Sequence, residues 1–406
     1  MINSITEPVP PLRQDIEAFV IEVEQEEMVA LRDPLGIARD MLVFHPSAYE
    51  IMRLFNGDVT VQDVLKLIAE STGDHIQPEH LLKMIRELDA HKFLLSPGFI
   101  QAFREEVERF QNQRVRTAFL AGDAYPEQME ECRKFIAEFF AGAGETRASF
   151  AATGIVAPHI DLRVGGKVYV PAFNSIKHGE FDTVIVLGTS HYSDEDFFIL
   201  CEKDFETPLG TVQADRRLIQ RIREKAYPDL TRSEFAHRNE HSIEFPVLFL
   251  KYLFGLESPP IVPVLCTSLQ DAIDEERSPG EFPEFQSFTR AVRESLDELG
   301  RKPVFIISVD WSHIGKKFGD MTPAADMLDR VRKSDLNQLE AVARCDAEAF
   351  HALVVKNRNR TRIDGYSCLQ AYFEIAHPRR GEILQYEQWH EIERESAVTF
   401  ASLAFR

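Results

Sequence analysis

The strongest constraint on how this chain can fold lies in its middle. Short apolar runs of strand length recur there, separated by segments of helical periodicity. Strands are expected at 149–157, 183–188, 196–201, 261–265 and 304–309, and helices at 215–225, 243–254, 285–299, 329–344 and 347–356. Two late apolar stretches, 381–386 and 397–404, read as further strands. Runs this short and continuously apolar suit strands buried on both faces. Strand–helix alternation predicts an α/β fold, a sandwich built on a mixed sheet.

Four histidines stand at the ends of apolar runs, three of them where a strand-like run stops. They are His159 in Ala157-Pro-His-Ile-Asp161, His191 in Leu187-Gly-Thr-Ser-His191, His241 in Asn239-Glu-His-Ser-Ile-Glu244 and His313 in Val309-Asp-Trp-Ser-His313. One histidine closing a strand is ordinarily just a polar terminus. Ligands, however, collect at the carboxyl ends of strands in open α/β sheets. Several imidazoles meeting there would form a metal or proton-transfer site.

His241 opens an amphipathic helix. The helix dipole lowers its pKa, while Glu240 and Glu244 act in the opposite sense, which leaves the sign open. His237 reads as a solvated neighbour. Asp310 has three readings: metal ligand, orienter of an imidazole, or cap of the next segment. Ser312 is a poor transition-metal ligand. Gly188 allows close approach of backbone to a ligand, and Gly154, Gly165 and Gly166 read as turn residues.

The formal net charge of −20 disfavours nucleic acid and anionic membrane as partners. No apolar run reaches membrane-spanning length. Residues 1–14 carry Pro8, Pro10 and Pro11 and no apolar core, so no secretory signal is expected. The five cysteines form no Cys-x-x-Cys pair, and their odd number in a large chain predicts reduced thiols in a cytoplasmic protein. A transition metal would then be held mainly by histidine and oxygen. Nucleotide-binding glycine loops and the Gly-x-Ser-x-Gly elbow are absent from the sequence.

Residues 1–97 read as a separate module. Short strands around Phe19–Val23 and Met41–Phe44, helices over 46–57, 61–71 and 78–90, and a returning strand at 91–95 predict a small winged-helix-like domain. Residues 98–113 read as a connecting helix and 114–406 as the larger domain.

From about Arg114 onward the chain resembles the Memo family, which includes component B of the AmmeMemoRadiSam system. The resemblance rests on Ala157-Pro-His159, Leu187-Gly-Thr-Ser-His191, Phe205-Glu-Thr-Pro-Leu-Gly210, Glu240-His-Ser-Ile-Glu244, Val262-Pro-Val-Leu265 and Ser308-Val-Asp-Trp-Ser-His313, in that order. It implies a fold similar to the class III extradiol dioxygenases, which use non-haem Fe(II). It places His159 and His191 at metal-ligand positions and His241 at that of the catalytic base. Ser312 takes the position of a third ligand, a cysteine in animal Memo proteins. Asp310 and His313 line the same pocket.

The cofactor implied is a divalent metal, with Fe(II) favoured over Zn or Cu; the serine also leaves room for a site with no metal. The system resemblance implies a radical-SAM partner protein. The first 95 or so residues resemble precursor-peptide-binding domains of the pyrroloquinoline-quinone chaperone type. This implies peptide capture as an added strand, with Phe19–Val23 as the edge, against a general docking module.

The expected function is metal-dependent redox chemistry on a small organic or peptidyl substrate, with His241 moving a proton and activity failing below about pH 6, near the ordinary histidine pKa. The alternative is a non-catalytic adaptor that binds a peptide or phosphorylated partner through the same pocket. A third reading is a Zn²⁺ hydrolase or lyase.

Overall fold

The computed structural model describes residues 4–73 and 75–406. The chain divides into two units, Met1–Asn112 and Gln113–Arg406.

In the first unit, β1 (Glu17–Val23), β2 (Glu26–Arg32) and β3 (Leu42–Phe44) form an antiparallel sheet in that order. Four helices follow: α1 (Pro46–Met52), α2 (Val61–Thr72), α3 (Pro78–Ala90) and α4 (Pro97–Asn112). A reciprocal Thr60–Asp63 capping box starts α2. Val29, Leu31, Met52, Val64, Ile85 and Leu88 share one buried core.

The expected strand at 91–95 does not form. Leu94 makes a single bridge with Leu12. The facing segment carries Pro10 and Pro11, which have no N–H with which to extend a ladder. The stretch expected to connect two domains is α4, which belongs to the first unit.

The second unit runs β4 (Val115–Arg116), α5 (Met129–Ala143), β5 (Gly154–Ala157), α6 (Leu162–Ile176), β6 (Thr183–Thr189), β7 (Phe198–Leu200) and β8 (Asp204–Phe205). It continues with α7 (Arg216–Lys225), α8 (His241–Phe254), β9 (Ile261–Cys266), α9 (Gln270–Asp274), α10 (Pro283–Leu299), β10 (Pro303–Ser308) and β11 (His313–Gly315). It ends with α11 (Leu328–Ala343), α12 (Ala347–Asn357), α13 (Tyr366–Ala376), β12 (Gly381–Glu391) and β13 (Ser396–Phe405).

The main sheet has the order β11-β13-β5-β10-β6-β9-β7, with β12 paired to β13. The central strands β5, β10, β6 and β9 are parallel, whereas β13, β12, β11 and β7 pair antiparallel. The sheet is therefore mixed and helices cover both faces. Val184 and Val186 pack toward α5, α6 and α8, while Ile185 and Leu187 pack toward α7, α10 and α13. Burial on both faces explains why β6 reads as continuously apolar rather than alternating.

Helices α6 and α13 were not expected. Gly165, Gly166 and Pro171 lie inside α6, so local punctuation argued against it. The two glycines serve packing rather than turns: a Cβ on Gly166 would lie 2.6 Å from the Phe139 ring. Gly154 likewise starts β5 beneath the Tyr372 ring.

Candidate metal centre

Strand register builds the site. Ser308 of β10 pairs with Ala157 of β5 on one side and Gly188 of β6 on the other. The three parallel strands therefore end at one level. His159 and Asp310 each lie two residues past this level, and His191 lies three past it. On the same side, α8 begins with His241. A Cβ on Gly188 would meet Ser242 Oγ at 2.6 Å and Ile243 Cδ1 at 2.8 Å. Its missing side chain admits the first turn of α8, where a ligand had been expected.

The rings of His159, His191 and His241 converge. Their centroids are 5.0 Å (159–191), 5.1 Å (159–241) and 4.5 Å (191–241) apart. One nitrogen from each lies within 4.8 Å of the others, a spacing that can hold a metal ion.

In every ring Nδ1 is already engaged. His159 Nδ1 is 3.0 Å from the Ser308 carbonyl oxygen. His191 Nδ1 and His241 Nδ1 lie 2.9 and 3.2 Å from Glu240 Oε1. A carbonyl and an ionised carboxylate only accept, so each Nδ1 carries a proton and Nε2 is the nitrogen left for a ligand. The surrounding acceptors set this tautomer assignment.

The electrostatics differ from ring to ring. Burial disfavours the His159 cation, but Asp310 and Asp364 outweigh it and raise the pKa to about 10. Asp364 Oδ2 is 2.9 Å and Asp310 Oδ2 3.8 Å from His159 Nε2. Asp310 Oδ1 also accepts the backbone N–H groups of His159 and Ile160, so it shapes the loop after β5. His241 goes the other way. Burial and the neighbouring His191 lower its pKa to about 4 despite Glu240, so it is neutral at pH 7. Burial opposes ionisation of Glu240, yet the two imidazoles hold its pKa well below the usual carboxylate range.

Other expected residues are not members of the trio. Ser312 is fully buried and its hydroxyl donates to Asp335 Oδ1 at 2.7 Å. Asp335 also accepts from Thr399 and Tyr386. His313 begins β11, with Nδ1 3.0 Å from the Arg362 carbonyl oxygen. His237, expected in solvent, is fully buried with Nε2 2.9 Å from the Ile199 carbonyl oxygen, and burial lowers its pKa to about 4.

Two carboxylates escaped the sequence reading in their present roles. Glu240 was read only as a charge beside His241, not for its double contact. Asp364 sits before α13, where Asp-Gly signals only a turn. A cavity of about 300 Å³ adjoins it, lined by Thr189, Ser190, Thr267, Gln270, Arg362 and Asp364 among others.

The Memo-like protein family matches residues 116–404, which takes in the whole site. The chain belongs to the Memo family. Memo relatives are similar along most of the chain. A MEMO1 family protein of Aquifex aeolicus is 32% identical over 378 residues, covering 92% of this chain and 95% of that protein. One from Thermus thermophilus is 26% identical over 350 residues, covering 85% and 98%. A Memo relative from Pyrococcus furiosus is 28% identical over 303 residues, covering 72% and 99%. Among the described residues, no helix of this Memo chain is long and apolar enough to cross a membrane.

Proposed function

We propose that this Memo-family protein is a metal-dependent oxidoreductase acting on a small organic or peptidyl substrate, with Fe(II) the favoured metal. The convergence of three imidazoles whose Nδ1 positions are all tied to acceptors carries this reading. Imidazole nitrogen with nearby carboxylate oxygen suits divalent iron or zinc better than a thiolate-seeking ion. His159, His191 and His241 would hold the metal, and Asp364 is the oxygen donor beside His159. When bound, the metal would polarise a substrate oxygen and carry electrons from the substrate to O₂, the oxidant of this reading.

The chain's own residues supply the rest. For a metal to be held there, the His159 Nε2 proton would have to leave to solvent, with Asp364 remaining a carboxylate beside the ring. Asp310 holds the His159 loop in place. His313, joined to the Arg362 loop, stands ready for proton transfer beside these carboxylates. The body of the substrate fits the cavity next to Asp364, whose hydroxyl and amide lining suits a compact polar molecule. A radical-SAM partner supplying the substrate, and peptide capture along β1, belong to the same proposal.

Metal analysis tests it. Protein purified without added metal and reconstituted with Fe(II) under argon should hold one ion per chain. His159→Ala, His191→Ala and His241→Ala should each lose it. A folded protein that takes up no metal overturns the reading and leaves the adaptor function in its place.

A further inference from the structure

We infer that Glu240 is the positioning residue of this centre: one buried carboxylate sets the tautomers of two ligand imidazoles together. The inference rests on the metal reading above but is carried by separate geometry. Glu240 is fully buried. Its Oε1 faces His191 Nδ1 at 2.9 Å, His241 Nδ1 at 3.2 Å and the Ser242 N–H at 3.0 Å, while Oε2 accepts the His191 N–H at 2.8 Å. Two rings from different elements, the end of β6 and the start of α8, thus share a single oxygen.

Backbone anchoring makes this arrangement rigid. Arg116, itself fully buried, donates from Nη2 to the Glu240 carbonyl at 3.1 Å and from Nε to the His237 carbonyl at 3.0 Å. It also pairs with Glu244 one turn into α8. Glu244 in turn accepts from the Phe119 and Leu120 N–H groups and from the Tyr125 hydroxyl. The cap residue of α8 is therefore held at its backbone carbonyl by a buried guanidinium and at its carboxylate by two imidazoles.

The shared oxygen has a chemical consequence. Glu240→Gln keeps the size but replaces one oxygen with an NH₂ donor. With the amide oxygen at the Oε1 position, the NH₂ faces the His191 N–H, donor against donor. With the amide reversed, the NH₂ faces both Nδ1 atoms and drives both rings to carry the proton on Nε2, where the metal must bind. Neither orientation preserves the native pattern, and the second switches both ligands at once. Removing an outer partner of a metal-ligating histidine typically weakens metal binding about 10–100-fold.

The test uses the full chain and Zn²⁺ as probe. In metal-free wild type, ¹⁵N–¹H correlation spectra of the histidine rings should show His191 and His241 both protonated on Nδ1. In Glu240→Gln the Zn²⁺ dissociation constant should rise about 10–100-fold, with the circular dichroism spectrum unchanged. Either ring protonated on Nε2 in wild type overturns the inference, even if the variant fails to fold. So does a folded Glu240→Gln protein whose Zn²⁺ affinity stays within threefold of wild type. If wild type binds no metal yet both rings carry the Nδ1 proton, the metal reading fails and the positioning role of Glu240 stands.

Discussion

Asp364 Oδ2 lies 2.9 Å from His159 Nε2, and among the described residues no other donor reaches either oxygen of this carboxylate. Nε2 is also the nitrogen a metal would take. In the metal-free chain, His159 and Asp364 are an ion pair that occupies the ligand position.

Asp364→Asn should lower the His159 pKa. The charges of Asp310 and Asp364 and the Asp364 hydrogen bond all raise it, so the variant should fall by about one unit or more from about 10. A ring-proton NMR titration measures it. An unchanged midpoint would show that the pair does not form.

Metal uptake should release protons. With His159 raised to about 10, its Nε2 is protonated at pH 7 and must be vacated. Affinity should climb about tenfold per pH unit from pH 7 to 9, and about one proton should leave per metal bound. His241, lowered to about 4, adds nothing in that range. Calorimetry in buffers of different ionisation enthalpy counts the protons.

Ser312→Ala separates stability from metal binding. Its hydroxyl is spent on the buried Asp335. Loss of that charge-assisted bond should cost about 1–3 kcal/mol in urea denaturation, while Zn²⁺ affinity stays within threefold. A large fall in affinity would put Ser312 back among the ligands.

Gly188→Ala should disturb the centre through packing. The new Cβ would press on Ser242 and Ile243 in the first turn of α8. Overpacking of this kind costs about 1–3 kcal/mol. Metal affinity should fall with it, because Glu240 and His241 ride on that turn. Denaturation and Zn²⁺ titration on one preparation check both.

Acid should destabilise the fold partly through His237. Its folded pKa is about 4, against an ordinary value of 6.5, so the unfolded chain binds this proton more readily. The contribution is complete above pH 6.5 and is lost as pH falls toward 4. It amounts to roughly 3 kcal/mol at most. His237→Phe should flatten the stability–pH curve over that window relative to wild type, as read by urea midpoints.

Much of the frame was legible because buried strands leave a plain trace. Each of β5, β6 and β10 is a short apolar run, and the polar residue after it falls where the sheet ends. His159, His191 and Asp310 were found in this way. Asp364 could not be, since its partner imidazole lies in another loop far away along the chain, and an Asp before a glycine resembles any turn. The direction of Ser312 was not legible for a different reason. Alternation assigns a face only while a strand persists, and β10 stops at Ser308 while β11 starts at His313. The direction of Ser312 is therefore set by α11 and β13, which supply Asp335 and Thr399.

Local pattern alone determined the α/β class and the strands of the parallel centre, because burial on two faces demands uninterrupted apolar side chains. Tertiary structure alone decided the protonation of the site. The pKa of about 10 at His159 and of about 4 at His241 arise from carboxylates and burial brought together across long stretches of chain. Coulomb energy depends on distance through space, which residue spacing along a chain does not encode.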